Sequence, residues 1–454
     1  MTSRRDFIKG SSIVLAGSLF KAEQFQFLAK PSSVIVIGAG FSGLAAAAQL
    51  KKKKLKVTVL EARNRIGGRV FSFNIPDENL VIELGAEWVG KSHERIIEMC
   101  DEFNLELFNN QFDSHLVYKG KYYGKDEWRY SENWKGKWEG LIKQYQGMKK
   151  HEKDALNQQL DKYDWWHYLV NNGCDGMDLD LRELLDSTDF GESIRHVSAF
   201  AALAEYAESS EKNEMDYKIR GGNGQLAKKL AERVGVENIL LEHGVTKVEQ
   251  TALGVKVTCS NGKVFRDDKL ICTVPTFSLK KIQWLPGLPK EKIDAINQLQ
   301  YARINKHPVL FSDRFWPEDM DMVTDLPAHY FYHATKNQAS KKGVLISYTI
   351  GDKAAVTANQ DDAYHKAMIS QALLPGFGDI QSKMEKQWNY YWGNDEFSKG
   401  AYALYGPGQW FTLRPTLAKT FMHTHFAGEH LADWQGFMEG AINTGEDAAK
   451  AIAG

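Results

Sequence analysis

Three glycines and one acid are the residues whose spacing most directly implies chemistry: Gly38, Gly40 and Gly43, followed by Glu61. The first glycine permits a tight turn, the second lets backbone N–H groups reach a pyrophosphate, and the third brings a helix close to a strand. An acid about twenty residues on takes the hydroxyls of a ribose. Together they describe a site for a dinucleotide. The elements that must hold it surround it. Residues 34–37 (VIVI) are a continuous apolar run, as expected for a strand buried on both faces of a parallel sheet. Phe41, Ser42 and Gly43 lead into a helix that continues over residues 45–50, and its N-terminus offers free N–H groups and a positive dipole end to phosphates. Residues 57–60 (VTVL) form a second strand that delivers Glu61.

The composition sets the frame for that site. A chain of 454 residues suits two domains rather than one. Hydrophobic residues make up 43% and charged residues 25%, which describes a soluble globular protein with a large core. The net charge of -1 gives no reason to invoke nucleic acid or an anionic membrane surface. Lys51, Lys52, Lys53 and Lys54 read as the solvated last turn of the first helix, where cations complement the dipole. Ser3, Arg4, Arg5, Asp6, Phe7, Ile8 and Lys9 form a twin-arginine pattern ahead of an apolar stretch over residues 13–20, pointing to bacterial export by the Tat route into the periplasm or medium. That stretch is too short to span a bilayer, so no stable membrane anchor is expected. Lys21 interrupts the region, and no clean cleavage site precedes residue 31. Cys100, Cys174, Cys259 and Cys272 show neither metal-ligand nor CxxC spacing, and disulfides are not the default expectation. His423, His425 and His430 lie close together but lack a convincing ligand set, so no metal is expected.

After Glu61 the chain reads Ala62, Arg63, Asn64, Arg65, Ile66, Gly67, Gly68, Arg69, and then ELGAEWVG over residues 83–90, containing Gly85, Ala86, Glu87 and Trp88. Arginine reaches a pyrophosphate through its planar fork, and glycine admits it by lacking a Cβ. Near the other end come His425, Phe426, Ala427, Gly428 and Glu429, then DWQGFMEGA over residues 433–441 and a terminal helical pattern. With these motifs the chain resembles the flavin-containing amine oxidase family, which includes monoamine oxidases, polyamine oxidases and L-amino-acid oxidases, across residues 33–450.

The resemblance implies an α/β fold in which an FAD-binding Rossmann-like domain of the GR2 type is interleaved with an α+β substrate domain. Residues 1–30 would be the export signal, residues 31–92, 214–291 and 393–454 the FAD domain, and residues 93–213 and 292–392 the substrate domain. FAD would meet the glycine turn, Glu61, Ala62, Arg63, Gly67, Gly68 and Arg69 at its nucleotide end, with the Val245 backbone at the adenine. At the flavin end the resemblance selects the 85–88 loop and Gly428, Glu429, Phe437, Met438 and Ala441, with the terminal helix aiming its positive end at the ring. Lys306, ten residues before Trp316 in RINKHPVLFSDRFW, matches the family lysine that holds a water against flavin N5. Trp392, Tyr402 and Phe437 fall at the aromatic positions around the flavin face. Where animal monoamine oxidases carry a cysteine bonded to FAD, this chain has Ala401, so the cofactor should be held non-covalently.

Several elements are expected from pattern alone. Residues 93–213 read as a mostly helical insertion. Its tryptophans Trp128, Trp134, Trp138, Trp165 and Trp166 are taken as ordinary core in preference to a substrate entry path. Gly221, Gly222, Asn223, Gly224 and Gln225 open another helix, residues 255–265 form a hairpin about Asn261 and Gly262, and residues 309–311 and 344–350 look strand-like. The expected activity is oxidation of a small amine to an imine, with O2 or a periplasmic electron acceptor taking the electrons, most readily as a monoamine oxidase. An L-amino-acid oxidase, an amine dehydrogenase and a flavin-binding scaffold without turnover stand as alternatives, and a homodimer is left open. Glu87 is a candidate for attracting a second amine, and Arg195 or Arg303 for gripping a carboxylate.

Overall fold

The computed structural model describes residues 31–211 and 213–454; the twin-arginine pattern lies outside the described residues. β1 (Ser33–Ile37) is the middle strand of a five-stranded parallel sheet, joined through α1 (Phe41–Lys52) to its neighbour β2 (Lys56–Leu60). The full order is Thr424–Phe426, Lys269–Cys272, β1, β2 and Ile239–Leu240. The apolar run of β1 is continuous because both of its faces are covered. Val34 and Val36 join the core under α1, while Ile35 and Ile37 pack with Val248, Val255 and Val257. Those valines belong to a four-stranded sheet ordered Val264–Asp267, Gly254–Cys259, Val245–Thr251 and Gln283–Leu285. The hairpin about Asn261 and Gly262 forms there, with Val257 opposite Phe265 and Gly262 at φ +79°.

α2 (Met438–Ala453) lies against α1 so closely that a Cβ on Gly445 would sit 2.1 Å from the Ser42 carbonyl oxygen. A Cβ on Gly43 would sit 1.9 Å from the carbonyl oxygen of Gly38. The two helices meet each other, and α1 meets the turn after β1, only because neither glycine carries a side chain.

The other half of the molecule is an eight-stranded mixed sheet. Its order is Met384–Gln387, β3 (Ile304–Phe311), Gly343–Ile350, Tyr330–His333, Met320–Thr324, Asp113–Tyr118 and Lys121–Tyr123, with Tyr390–Tyr391 also pairing with β3. Every residue of β3 and of Gly343–Ile350 is buried, since two separate apolar clusters cover the faces of the sheet. The segment 93–213 is mostly helical, as expected, with short strands among its helices. Of these, Asp113–Tyr118 pairs in parallel with Met320–Thr324 and extends the sheet. Its partner is some two hundred residues away, beyond the reach of a local pattern. Trp134 and Trp165 are fully buried core. The half-buried Trp138, packed between them with ring centroids 6.2 and 5.9 Å apart, also borders the large cavity, so the core reading holds for the first two and not for Trp138. All four cysteines are buried and free. Among the described residues no helix is long and apolar enough to cross a membrane.

Burial also sets the acid response. His93 is pushed down to about 3, and His307, His333 and His430 to about 4, chiefly because burial penalises the imidazolium. Folded values below the unfolded value of about 6.5 mean that protons bind the unfolded chain better; this stability is present above pH ~6.5 and is lost as pH falls toward 4. Burial raises Glu83 and Asp189 to about 7, and raises Asp161, Asp186, Glu214 and Asp267, all of which work in the opposite direction. Glu87, Glu429 and Asp395, held down by neighbouring cations, lose stability on acidification together with the histidines. We expect the melting temperature to fall by several degrees between pH 7 and pH 5. A melting temperature that is flat or rises on acidification would show that the imidazoles do not govern it.

Candidate active site

A single cavity of about 940 Å³ runs between the two halves. One arm of it is built by the glycine turn. Gly38 takes φ +103°, and Gly40 is the N-cap of α1 with no side chain bonding the first turn, so the leading N–H groups stay open. The Ser42 hydroxyl, also lining the cavity, is buried without a partner. Gly67 donates its N–H to the Ala39 carbonyl at 2.8 Å, and a Cβ on Gly68 would stand 3.2 Å from Gly40 Cα. The second glycine pair is thus pressed against the first. The Glu61 carboxylate is held by the backbone N–H groups of Ala39 at 2.7 Å and Arg63 at 2.9 Å, and Ala62, Gly244 and Val245 close the arm beyond it.

This arm fits a flavin dinucleotide. A Cβ on Gly40 would meet nothing nearer than 3.9 Å, so the space in front of it is open. Uncapped N–H groups and an orphaned hydroxyl are donors suited to phosphate oxygens. Arg63 and Arg69 line the arm, each steadied from the C-terminal segment: Arg63 donates to Asp395 at 2.5 Å and Ser398 at 2.8 Å, and Arg69 to Glu429 at 2.6 Å. Burial alone would raise the Glu429 carboxyl, but Arg69 beside it holds it below the ordinary carboxylate range. Gly43 does not line the cavity; it stands behind the turn, at the contact between α1 and Gly38.

The other end gathers Gly85, Ala86, Glu87, Trp88, Lys306, Trp392, Tyr402, Gly428, Phe437, Met438 and Ala441. α2 starts there with Phe437 as an N-cap that makes no side-chain cap bond. Trp392 is buried and donates its Nε1–H to the Leu84 carbonyl at 2.8 Å. The Tyr402 hydroxyl donates to the carbonyls of Thr188, at 3.3 Å, and Asp189, and Gly436 lets its ring approach, since a Cβ there would lie 3.1 Å from Tyr402 Cδ2. Phe437 packs edge-on against His93, at 5.1 Å, and Trp434, at 5.7 Å. Lys306, on β3, is buried and donates to the carbonyls of Glu83 at 3.1 Å and Gly85 at 2.8 Å and to Glu87 Oε2 at 3.1 Å. Burial lowers its pKa, against the pull of Glu87.

Three expectations change at this end. Glu87 is not placed to attract a second amine: Lys218 occupies Oε1 at 2.6 Å, while Lys306 and the Tyr332 hydroxyl, at 2.7 Å, occupy Oε2. Arg195 pairs with Glu183 at 3.0 Å, and Arg303 with Glu192 at 2.9 Å and Asp352 at 2.6 Å; neither lines the cavity, so neither grips a substrate carboxylate. The far wall is also not simply apolar. Asp186, Asp189, Glu205, Glu211, Glu214 and Asp321 line it, against Arg182, whose Nε lies 3.1 Å from Asp186.

Sequence reasoning missed Lys218, Tyr332, Asp395 and this acidic wall. Asn223 was read only as part of a helix start, yet its Nδ2 donates to the carbonyls of Ala86, at 3.0 Å, and Glu87, at 2.7 Å. The glycines on either side of it were the available signal.

Residues 41–453 match the family model described as flavin containing amine oxidoreductase. An L-amino-acid oxidase from Echis ocellatus is 27% identical, aligned over 93% of this chain and 89% of its own length. An L-amino acid dehydrogenase from Synechocystis sp. is 26% identical over 94% of this chain and 96% of its own. A solved structure of wild-type putrescine oxidase bound to putrescine shares the fold, with a TM-score of 0.82 at 23% identity over 93% of this chain and 98% of that one. With the match running through both halves of the fold and both walls of the cavity, the chain belongs to the flavin-containing amine oxidoreductases, enzymes that act on amine donors.

Proposed function

We propose that the chain binds FAD without a covalent bond and oxidises a primary amine to an imine. Water hydrolyses the imine to an aldehyde or ketone and ammonia, and dioxygen leaves as hydrogen peroxide. The observation that carries this reading is the meeting of the glycine turn with Lys306, Trp392, Tyr402 and Phe437 in one cavity. When bound, FAD supplies the acceptor for the hydride that leaves the carbon next to nitrogen. The protein supplies orientation and dryness. Tyr402 and Phe437 present aromatic walls against which an ammonium would have to shed water at high cost, so the neutral amine, with its lone pair, is the form that fits. The rate of anaerobic reduction should therefore rise with pH as the bound amine loses its proton.

Non-covalent binding is supported by Ala401 and by a cavity lining that contains no cysteine among the described residues. Denaturing the purified protein should release its yellow colour into the supernatant. Colour that stays with the precipitated chain would refute this.

For the substrate, the favoured class is an amine without a carboxylate, because the charge of Arg182 is offset by Asp186 at 3.1 Å and the same cavity is lined by Asp189, Glu205, Glu211, Glu214 and Asp321. Anaerobic mixing with a panel should show alkyl and arylalkyl monoamines reducing the flavin faster than free amino acids. The opposite ranking would support an L-amino-acid oxidase, the activity named for one relative. A second reading, a diamine, draws on Asp189: burial and then Asp186 raise its carboxyl to about 7, and a distal ammonium would stabilise the ionised form. Diamines then outpace monoamines in the same panel, with an advantage that grows above pH 7. Full reduction by amines without reoxidation in air would instead support an amine dehydrogenase using another acceptor. Tat export to the periplasm remains part of the proposal, tested by fractionating cells that carry Arg4→Lys together with Arg5→Lys.

A further inference from the structure

We infer that Glu87 and Lys218 are positioning residues for Lys306, a buried carboxylate bridge that holds the Lys306 ammonium at the cavity wall and couples its charge to a second lysine behind it. The inference rests on the reading of the cavity as a flavin site. Four separate parts of the chain meet to make the bridge: Glu87 from the 83–90 loop, Lys218 from Tyr217–Ile219, Lys306 from β3 and Tyr332 from Tyr330–His333. All four side chains are buried, and Lys218 lies outside the cavity lining while Lys306 and Glu87 are part of it. Lys218 sits 2.6 Å from Glu87 Oε1 and also reaches the Ala334 carbonyl at 3.3 Å.

The hydrogen bonds of Lys306 determine its form. Three oxygens accept from its Nζ, so an ammonium matches the site proton for proton; a neutral amine would turn its lone pair toward one of those oxygens. The groups facing it are Glu87 and Glu83, which favour its charge, and Lys218, which opposes it. The rings of Trp88, Tyr332 and Tyr348 stand 5.7, 5.6 and 5.9 Å from Nζ. Glu83 is raised by burial to about 7, so near neutral pH much of the negative charge in the cluster resides on Glu87. Glu87 itself is held below the usual range: burial works against its ionisation, and Lys218 and Lys306 together overcome it. A carboxylate shared in this way transmits a change at Lys218 to Lys306 without any contact between the two lysines.

The test uses the holoenzyme and a readout that needs no turnover: the visible spectrum of bound oxidised flavin, titrated with pH. Lys306→Met identifies the inflection that belongs to Lys306 by removing it. Lys218→Met takes away a repelling cation and should move that inflection up by about one unit or more, whereas Glu87→Gln takes away the attracting anion and should move it down by a similar amount. Lys218→Arg, which keeps the charge, should restore the wild-type position. Opposite shifts support the bridge, because a loss of packing alone has no reason to change sign between the two variants. Shifts in one direction, or an unmoved inflection with full flavin content, overturn it. If the charge variants do not retain flavin, Tyr332→Phe removes one neutral donor from Glu87 and leaves every charge in place. It should move the inflection upward, and a fixed inflection there overturns the inference. Wild-type protein that carries no flavin would instead sink the reading of the cavity, and the bridge with it.

Discussion

Gly40→Val should yield a folded, colourless protein. A Cβ at Gly40 meets nothing within 3.9 Å, so the fold has room for the side chain, but that room is the open space before the uncapped end of α1 where a pyrophosphate would lie. Flavin affinity should fall at least about 100-fold, equivalent to about 2.7 kcal/mol, with the melting temperature of the cofactor-free form unchanged. Gly43→Ala makes the contrast. Its Cβ would stand 1.9 Å from the Gly38 carbonyl oxygen, so the helix must move off the strand at a cost of about 3 kcal/mol or more, and stability is lost together with flavin. Absorbance at 450 nm and thermal melts on both variants check this. A Gly40→Val protein with full flavin content would show that the open space is not the phosphate site.

Lys306→Met should keep its flavin and its fold while losing about 10²- to 10³-fold in the rate of flavin reduction or of reoxidation, a loss comparable to removing a charge-stabilising donor from an enzyme site. The fold survives because Glu87 keeps two partners, Lys218 and the Tyr332 hydroxyl, so no naked carboxylate is left buried. Stopped-flow traces with and without oxygen separate the two half-reactions. Unchanged rates in both would make Lys306 a structural lysine.

How far the sequence could be read depended on distance along the chain. The nucleotide arm was legible because β1, α1, β2 and Glu61 form one local unit, in which each glycine has a single steric reason to be glycine. Lys306, Trp392, Tyr402 and Phe437 were reached only through resemblance, since nothing in their local patterns distinguishes them from core residues. The structure brings all four to the cavity. The acidic wall and the Glu87 bridge were invisible for a different reason. Glu87 looked available because its loop contains no cation nearby except Lys91, and the two lysines that occupy it come from residues 218 and 306. Likewise Asp113–Tyr118 carries no strong strand signal of its own and becomes a strand through a partner at Met320–Thr324.

The first turns of α1 and α2 border the same cavity, yet Gly40 belongs to the first tenth of the chain and Met438 nearly to its end. On a ribosome adding about 5–20 residues per second, the opening turn exists for some tens of seconds before α2 is synthesised. The edge strand Thr424–Phe426, which completes the parallel sheet, is made just as late. A nascent chain therefore carries the glycine turn long before it has residues 428–441, the last segment to join the cavity lining. Premature termination upstream of Met438 leaves the glycine turn and most of the cavity lining without α2, the helix that packs on α1 and supplies Met438 and Ala441 to the cavity.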